Sequence, residues 1–93
     1  MLMATKAEPR EGISQIVIEP WNVILLNDDS HAFEEVIFQL MRATSCSPAQ
    51  AEAITWEAHS KGEAVCFTGS RERAELVAAI LEEIELGVRL EKA

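Results

Sequence analysis

In the stretch VILLNDDSHAF (residues 23–33), four aliphatic residues run straight into Asn27, Asp28 and Asp29. The chain has two histidines, His31 just past this cluster and His59 near the end of a later helical pattern. A carboxylate, a carboxamide oxygen and a neutral imidazole nitrogen are three acceptors, and a primary ammonium carries three donors. Bonds to such a cation are charge-assisted and about twice as strong as neutral ones. Capture of an amine is therefore one chemistry that these residues suit. A second is metal binding by Asp28, Asp29, His31 and His59, whose ligand types fit although no recognised metal spacing is present. The third is structural, with Asn-Asp-Asp as turn and cap chemistry and His59 where a helix dipole favours it. Spacing alone leaves all three open.

For these groups to meet, the elements around them must be placed correctly. WNVILLN (residues 21–27) is β-branched and aliphatic and predicts a buried strand. From Ala32 the period changes: Phe33, Val36, Ile37, Leu40 and Met41 form the apolar stripe of a first helix. Ser30 is its expected cap, with Glu34 and Glu35 at the positive end of the dipole. In SPAQ (residues 47–50), Ser47 caps a second helix, Pro48 fits its first position and Gln50 closes a capping box. Ala51, Ile54 and Ala58 face inward, and Gly62 ends it. A short connection favours an antiparallel return. That return carries His59 back beside Asn27, Asp28 and Asp29.

EAVCFTG (residues 63–69) predicts another strand. Ser70 opens a third helix with Ala74, Val77, Leu81 and Ile84 inward, running to about Leu86 and stopped by Gly87. VRL (residues 88–90) predicts a last short strand. The expected class is α+β, in the order β-α-α-β-α-β, with a small antiparallel three-stranded sheet and three helices packed on one face. Residues 1–20 are expected to be a flexible tail with an edge strand at 13–19, ended by Pro20, and residues 21–93 to be the domain.

A chain of 93 residues is one small domain. Its net charge of −8 argues against nucleic acid, whose phosphates need Lys and Arg, and suits a cationic partner. No apolar run approaches the ~20 residues of a membrane span, and the N-terminus lacks the apolar middle of a secretory signal, so a cytoplasmic location is expected. Cys46 and Cys66 are expected to be free thiols, Cys66 as a small core residue. Glu75, Glu82, Glu83 and Glu85 are expected to form the solvated face of the third helix. Trp21 and Trp56 are expected to be packing anchors, Trp56 lying about 100° around its helix from Thr55. His31 is expected to face solvent.

The segments VILLNDDSHAFEEVIFQL (residues 23–40), AHSKGEAVC (58–66), RERAE (71–75) and LEKA (90–93) resemble the ClpS family. These are adaptors that deliver substrates with a destabilising N-terminal residue to the Clp ATPase–protease. The resemblance runs from about Trp21 to the end. It implies that Asn27, Asp28 and His59 hold the α-amino group of an incoming chain. It also implies that Phe33, Val36, Thr55, Ala58 and Leu86 line or border a pocket for the first side chain, such as Leu, Phe, Trp or Tyr. Glu72 matches a residue contacting the N-terminal domain of a ClpA- or ClpC-like AAA+ ATPase. A monomeric, non-enzymatic protein without metal or other cofactor is implied.

The physics of that reading is consistent. An α-ammonium beside an apolar side chain occurs only at a chain start. Burying the side chain contributes about 1.5–3 kcal/mol, and losing the carboxylate costs about 2–5 kcal/mol. His59 must be neutral to accept, so binding is expected to weaken as pH falls through the histidine range, about 6.5. The chain departs from the family pattern at several positions. Phe33 replaces a gating methionine, Thr55 another methionine, Ala58 a valine, Val77 a lysine, and His31-Ala32 a Thr-Pro. Two alternatives remain: a module that binds the ATPase without recognising N-terminal residues, and a small metal-dependent hydrolase at Asp28, Asp29, His31 and His59.

Overall fold

In the computed structural model, which describes residues 19–93, the elements are β1 (Trp21–Leu26), α1 (Phe33–Thr44), α2 (Pro48–Lys61), β2 (Glu63–Gly69), α3 (Arg71–Glu82) and β3 (Val88–Lys92). The sheet order is β2-β1-β3, and both pairings are antiparallel. This is the α+β arrangement that the alternation of strand and helix patterns predicts. The expected tail and its edge strand at 13–19 lie outside the described residues, except for Glu19 and the Pro20 that follows it, which are irregular and exposed. Among the described residues no helix is long and apolar enough to cross a membrane.

The core lies between the sheet and the helices. Val23 and Leu25 on β1 alternate toward it and meet Leu40 of α1 and Leu81 of α3, all four fully buried. Ala51, Ala58 and Ala74 let the helices approach closely, each at most 3% exposed. Ile24 points to the opposite face by the same alternation and is still buried. Beside it, Arg89 reaches across the central strand to Glu63 at 3.1 Å and pairs with Glu91 at 2.6 Å, roofing that face. On β2 the register slips between Val23 and Ile24, so Cys66 is an extra residue that tucks into the core. Burial there pushes its thiol pKa up to about 12.

Helix α2 begins and ends where its residues dictate. The Ser47 hydroxyl accepts from the Gln50 amide at 3.1 Å, and the Gln50 side chain accepts from the Ser47 amide at 3.0 Å. Gly62 closes the helix at φ 90°, and its amide donates to the Ala58 carbonyl at 2.9 Å.

Two local expectations are corrected. The N-cap of α1 is Ala32, not Ser30. Alanine has no side-chain acceptor, and Glu35 reaches back to the Ala32 amide at 2.9 Å. Helix α3 ends at Glu82, four residues short of Leu86, and the left-handed residue after it is Glu85 at φ 67°, not Gly87. This early turn lets Leu86 swing into the core, where it is 3% exposed. Gly87 instead sits against Leu26, accepting its amide at 3.0 Å. Val77, where the family pattern has lysine, faces inward as its spacing predicts, at 2% exposure.

Inside, Gln39 is a buried polar residue that the helical pattern did not single out. Its amide donates to the Ile80 carbonyl at 2.7 Å, tying α1 to the last turn of α3.

Candidate functional site

The end of β1 is fastened on two sides. The Leu26 amide donates to Gly87 at 3.0 Å, and the Asn27 amide donates to the Gly62 carbonyl at 2.9 Å. Gly62 is the cap of α2, so this second bond sets the last turn of that helix, and with it His59, next to Asn27. Thirty-two positions of sequence separate the two residues. The contact follows from the antiparallel return of α2.

Asn27, Asp28, Phe33, Val36, Thr55, Ala58, His59 and Leu86, all singled out from the sequence, surround one cavity. Leu25 and Leu26 complete its wall, and sequence reasoning had assigned them only to the strand. Val36, Thr55, Ala58 and Leu86 are buried, whereas Asn27 and His59 are exposed at the rim. The Thr55 hydroxyl donates to the Ala51 carbonyl at 2.8 Å, so it adds no unpaired donor to the wall. The cavity volume is about 20 Å³, room for roughly one water molecule.

Asp28 builds a tight turn around its own carboxylate. Oδ1 accepts from the Ser30 amide at 2.6 Å, the Ser30 hydroxyl at 2.7 Å and the His31 amide at 3.0 Å. Oδ2 faces His31 Nδ1 at 2.9 Å and keeps room for a further donor. Partial burial pushes this carboxyl upward, but the bonds from Ser30 and His31 together outweigh it and hold its pKa below the ordinary value. The same Asp28 contact raises the His31 imidazole, with help from Glu35 and the backbone of Ile84. His31 is thus not solvent-facing as expected; its side chain is 17% exposed and bound to Asp28. The structural reading of Asp28 as turn chemistry and the acceptor reading both apply to this residue.

Asn27 Nδ2 leans toward Asp29 at 3.4 Å. Among the described residues, neither its side-chain oxygen nor the ring nitrogens of His59 have a hydrogen-bond partner. Two uncommitted acceptors and one anionic oxygen thus stand at the rim of an apolar cavity. No three His, Cys, Asp or Glu side chains converge as a metal site among the described residues.

Over the rim lies a cluster that the sequence had not assembled. Phe33 meets Trp56 edge-on at 4.7 Å between ring centroids and His59 at 5.4 Å, and Trp56 meets His59 at 5.9 Å. Trp56 is 53% exposed, so it is not the buried anchor expected. Its spacing of three from His59 on one helix was the available signal. Trp21 is partly buried against the core, with the Arg71 guanidinium 5.0 Å from its ring centroid. Glu72 is exposed on the first turn of α3.

The family model described as ATP-dependent Clp protease adaptor protein ClpS matches residues 18–87. Among solved structures, the chain is similar to Agrobacterium tumefaciens ClpS2 bound to L-phenylalaninamide. The identity is 25% and the TM-score 0.77, over 83% of this chain and all of that one. No curated protein matches the chain.

Proposed function

The chain belongs to the ClpS family of ATP-dependent Clp protease adaptors, and on that premise we propose that it captures proteins by a free α-amino group and a large apolar first side chain. Asp28 Oδ2 supplies the anionic acceptor, and the Asn27 carbonyl and a neutral His59 nitrogen take the other two ammonium protons. The first side chain enters the cavity between Phe33, Val36, Thr55, Ala58 and Leu86. One observation carries the reading: the uncommitted acceptors and the apolar cavity share a rim. The similar Agrobacterium protein, bound to an amino-acid amide with a free amine and an aromatic side chain, supports it.

Both halves of the ligand are needed. Charge-assisted bonds select a chain start, and burial of the side chain adds about 1.5–3 kcal/mol. The substrate is held and then passed to the N-terminal domain of a ClpA- or ClpC-like AAA+ ATPase, with the exposed Glu72 on α3 as a contact. Holding and passing require no nucleophile, metal or cofactor, and the protein acts as a monomeric cytoplasmic adaptor.

Titration with fluorescent peptides that differ only at their first residue tests this. Leu- and Phe-starting peptides bind, and their N-acetylated forms do not. If none binds while the ATPase domain does, the chain is a regulator of the ATPase without N-terminal recognition.

A further inference from the structure

The cavity is much too small for what the proposed function asks of it. An engineered cavity that takes up benzene measures about 150 Å³, against about 20 Å³ here. Some wall must move before a leucine side chain enters, and it must move further for a phenyl ring. Leu25, Val36, Ala58 and Leu86 are each at most 5% exposed and belong to the hydrophobic core, Thr55 is buried and bonded to the Ala51 carbonyl, and Leu26 sits on the central strand with its amide fastened to Gly87. Moving them disrupts the fold. Phe33 is different: it is the first residue of α1, only partly buried, and it lines the cavity while touching the exposed Trp56 and His59. The ring is held there from outside by the edge contacts to Trp56 and His59.

We propose that Trp56 is a specificity-determining residue, which braces Phe33 across the pocket mouth and so favours leucine over aromatic first side chains. The inference rests on the amine-capture reading and adds to it a residue that lines no part of the cavity. The physical chain is short. A pair of aromatic rings in edge contact is worth roughly 2- to 10-fold in an equilibrium constant. A small displacement of Phe33 that admits leucine keeps part of that contact, whereas the larger one that admits a phenyl or indole ring gives it up. The difference appears as discrimination between ligands. His59 touches both rings, so the brace also steadies the imidazole that faces the amine.

The test measures Kd for Leu-, Phe- and Trp-starting peptides of otherwise identical sequence, with the wild-type chain, W56A, W56F and F33A. Trp56 is half-exposed, so W56A keeps its core, which the urea midpoint verifies. The wild-type chain binds the Leu peptide about fivefold more tightly than the Phe peptide, W56A brings the two within about twofold, and W56F restores most of the preference. F33A loses the preference by itself, and adding W56A to it changes nothing further. If the wild-type chain binds Leu and Phe peptides but W56A leaves their ratio unchanged, the brace is refuted and the amine-capture reading stands. Should no free-amine peptide bind the wild-type chain, both fall.

Discussion

His31 Nδ1 and Asp28 Oδ2 lie 2.9 Å apart, so the carboxylate proposed to receive an incoming ammonium already faces a titratable imidazole of the chain's own. The two requirements placed on Asp28 are divided between its oxygens: Oδ1 shapes the turn, and Oδ2, which faces His31, is the one left to accept a ligand.

This pairing makes stability and binding respond to pH in opposite directions. The His31 pKa is raised in the folded chain, first by its hydrogen bond to Asp28, so its contribution to stability is complete below the unfolded histidine value and fades as pH rises through the raised one. The Asp28 pKa is lowered, so its contribution is present above the unfolded carboxyl value and is lost as pH falls through the lowered one. The pair therefore stabilises most between about pH 4 and 6.5. Amine capture improves instead as pH rises through the raised His31 value, because a charged His31 competes for Oδ2. Peptide Kd measured from pH 5.5 to 8.5 falls across that range, and His31→Gln flattens the slope. A slope identical in His31→Gln contradicts the competition.

Asp28→Asn keeps the shape of the side chain and removes its charge. Affinity for a Leu-starting peptide drops by about 2–5 kcal/mol in calorimetric titration. The folded chain also loses about 1 kcal/mol in urea unfolding, because the amides of Ser30 and His31 lose a charged acceptor. An acetylated peptide shows no change, since it offers no ammonium.

Gly62 joins the capping of α2 to the position of Asn27. At φ 90° an added Cβ meets no atom within 4 Å, so Gly62→Ala suffers backbone strain alone, about 1–2 kcal/mol by urea denaturation. Ser45, in a left-handed conformation at φ 62°, gives the opposite result: Ser45→Gly stabilises by about 1 kcal/mol. Peptide affinity follows Gly62→Ala downward and ignores Ser45→Gly, since only Gly62 is bonded to Asn27.

Cys66 reports on opening of the core. Burial pushes its thiol pKa up to about 12, so it stays protonated and unreactive in the native state. At pH 8 an aromatic disulfide reagent labels the partly exposed Cys46 first, and Cys66 only as fast as the fold opens. A saturating Leu-starting peptide slows that second phase. Equal labelling rates for the two thiols rule out the buried placement.

Reversing the charge at Glu72 tests the proposed ATPase contact separately from the cavity. Glu72→Lys weakens binding to the isolated ATPase N-terminal domain by about tenfold or more and leaves peptide affinity unchanged. A variant that loses both has been misplaced.

By itself the sequence determined the elements and their order, because the signals are local. Ser47, Pro48, Gln50 and Gly62 mark the ends of α2 through bonds spanning three or four residues. The aliphatic run of β1 and the helical stripe through Val36 and Leu40 mark positions that the fold buries. It also supplied the chemical types at the site, an amide, a carboxylate and an imidazole. Where α3 ends was not legible, because Leu86 is drawn inward by a core that only the assembled fold creates. Nor was the partner of His31 legible: a backbone turn closes on Asp28 and hides an imidazole that looks solvent-bound in one dimension. Tertiary structure alone decided that Asn27 is bonded to the cap of α2, that the cavity is narrow, and that Phe33, Trp56 and His59 pack as one cluster. Those facts depend on how two helices pass each other, and no bond or period within a single segment encodes that.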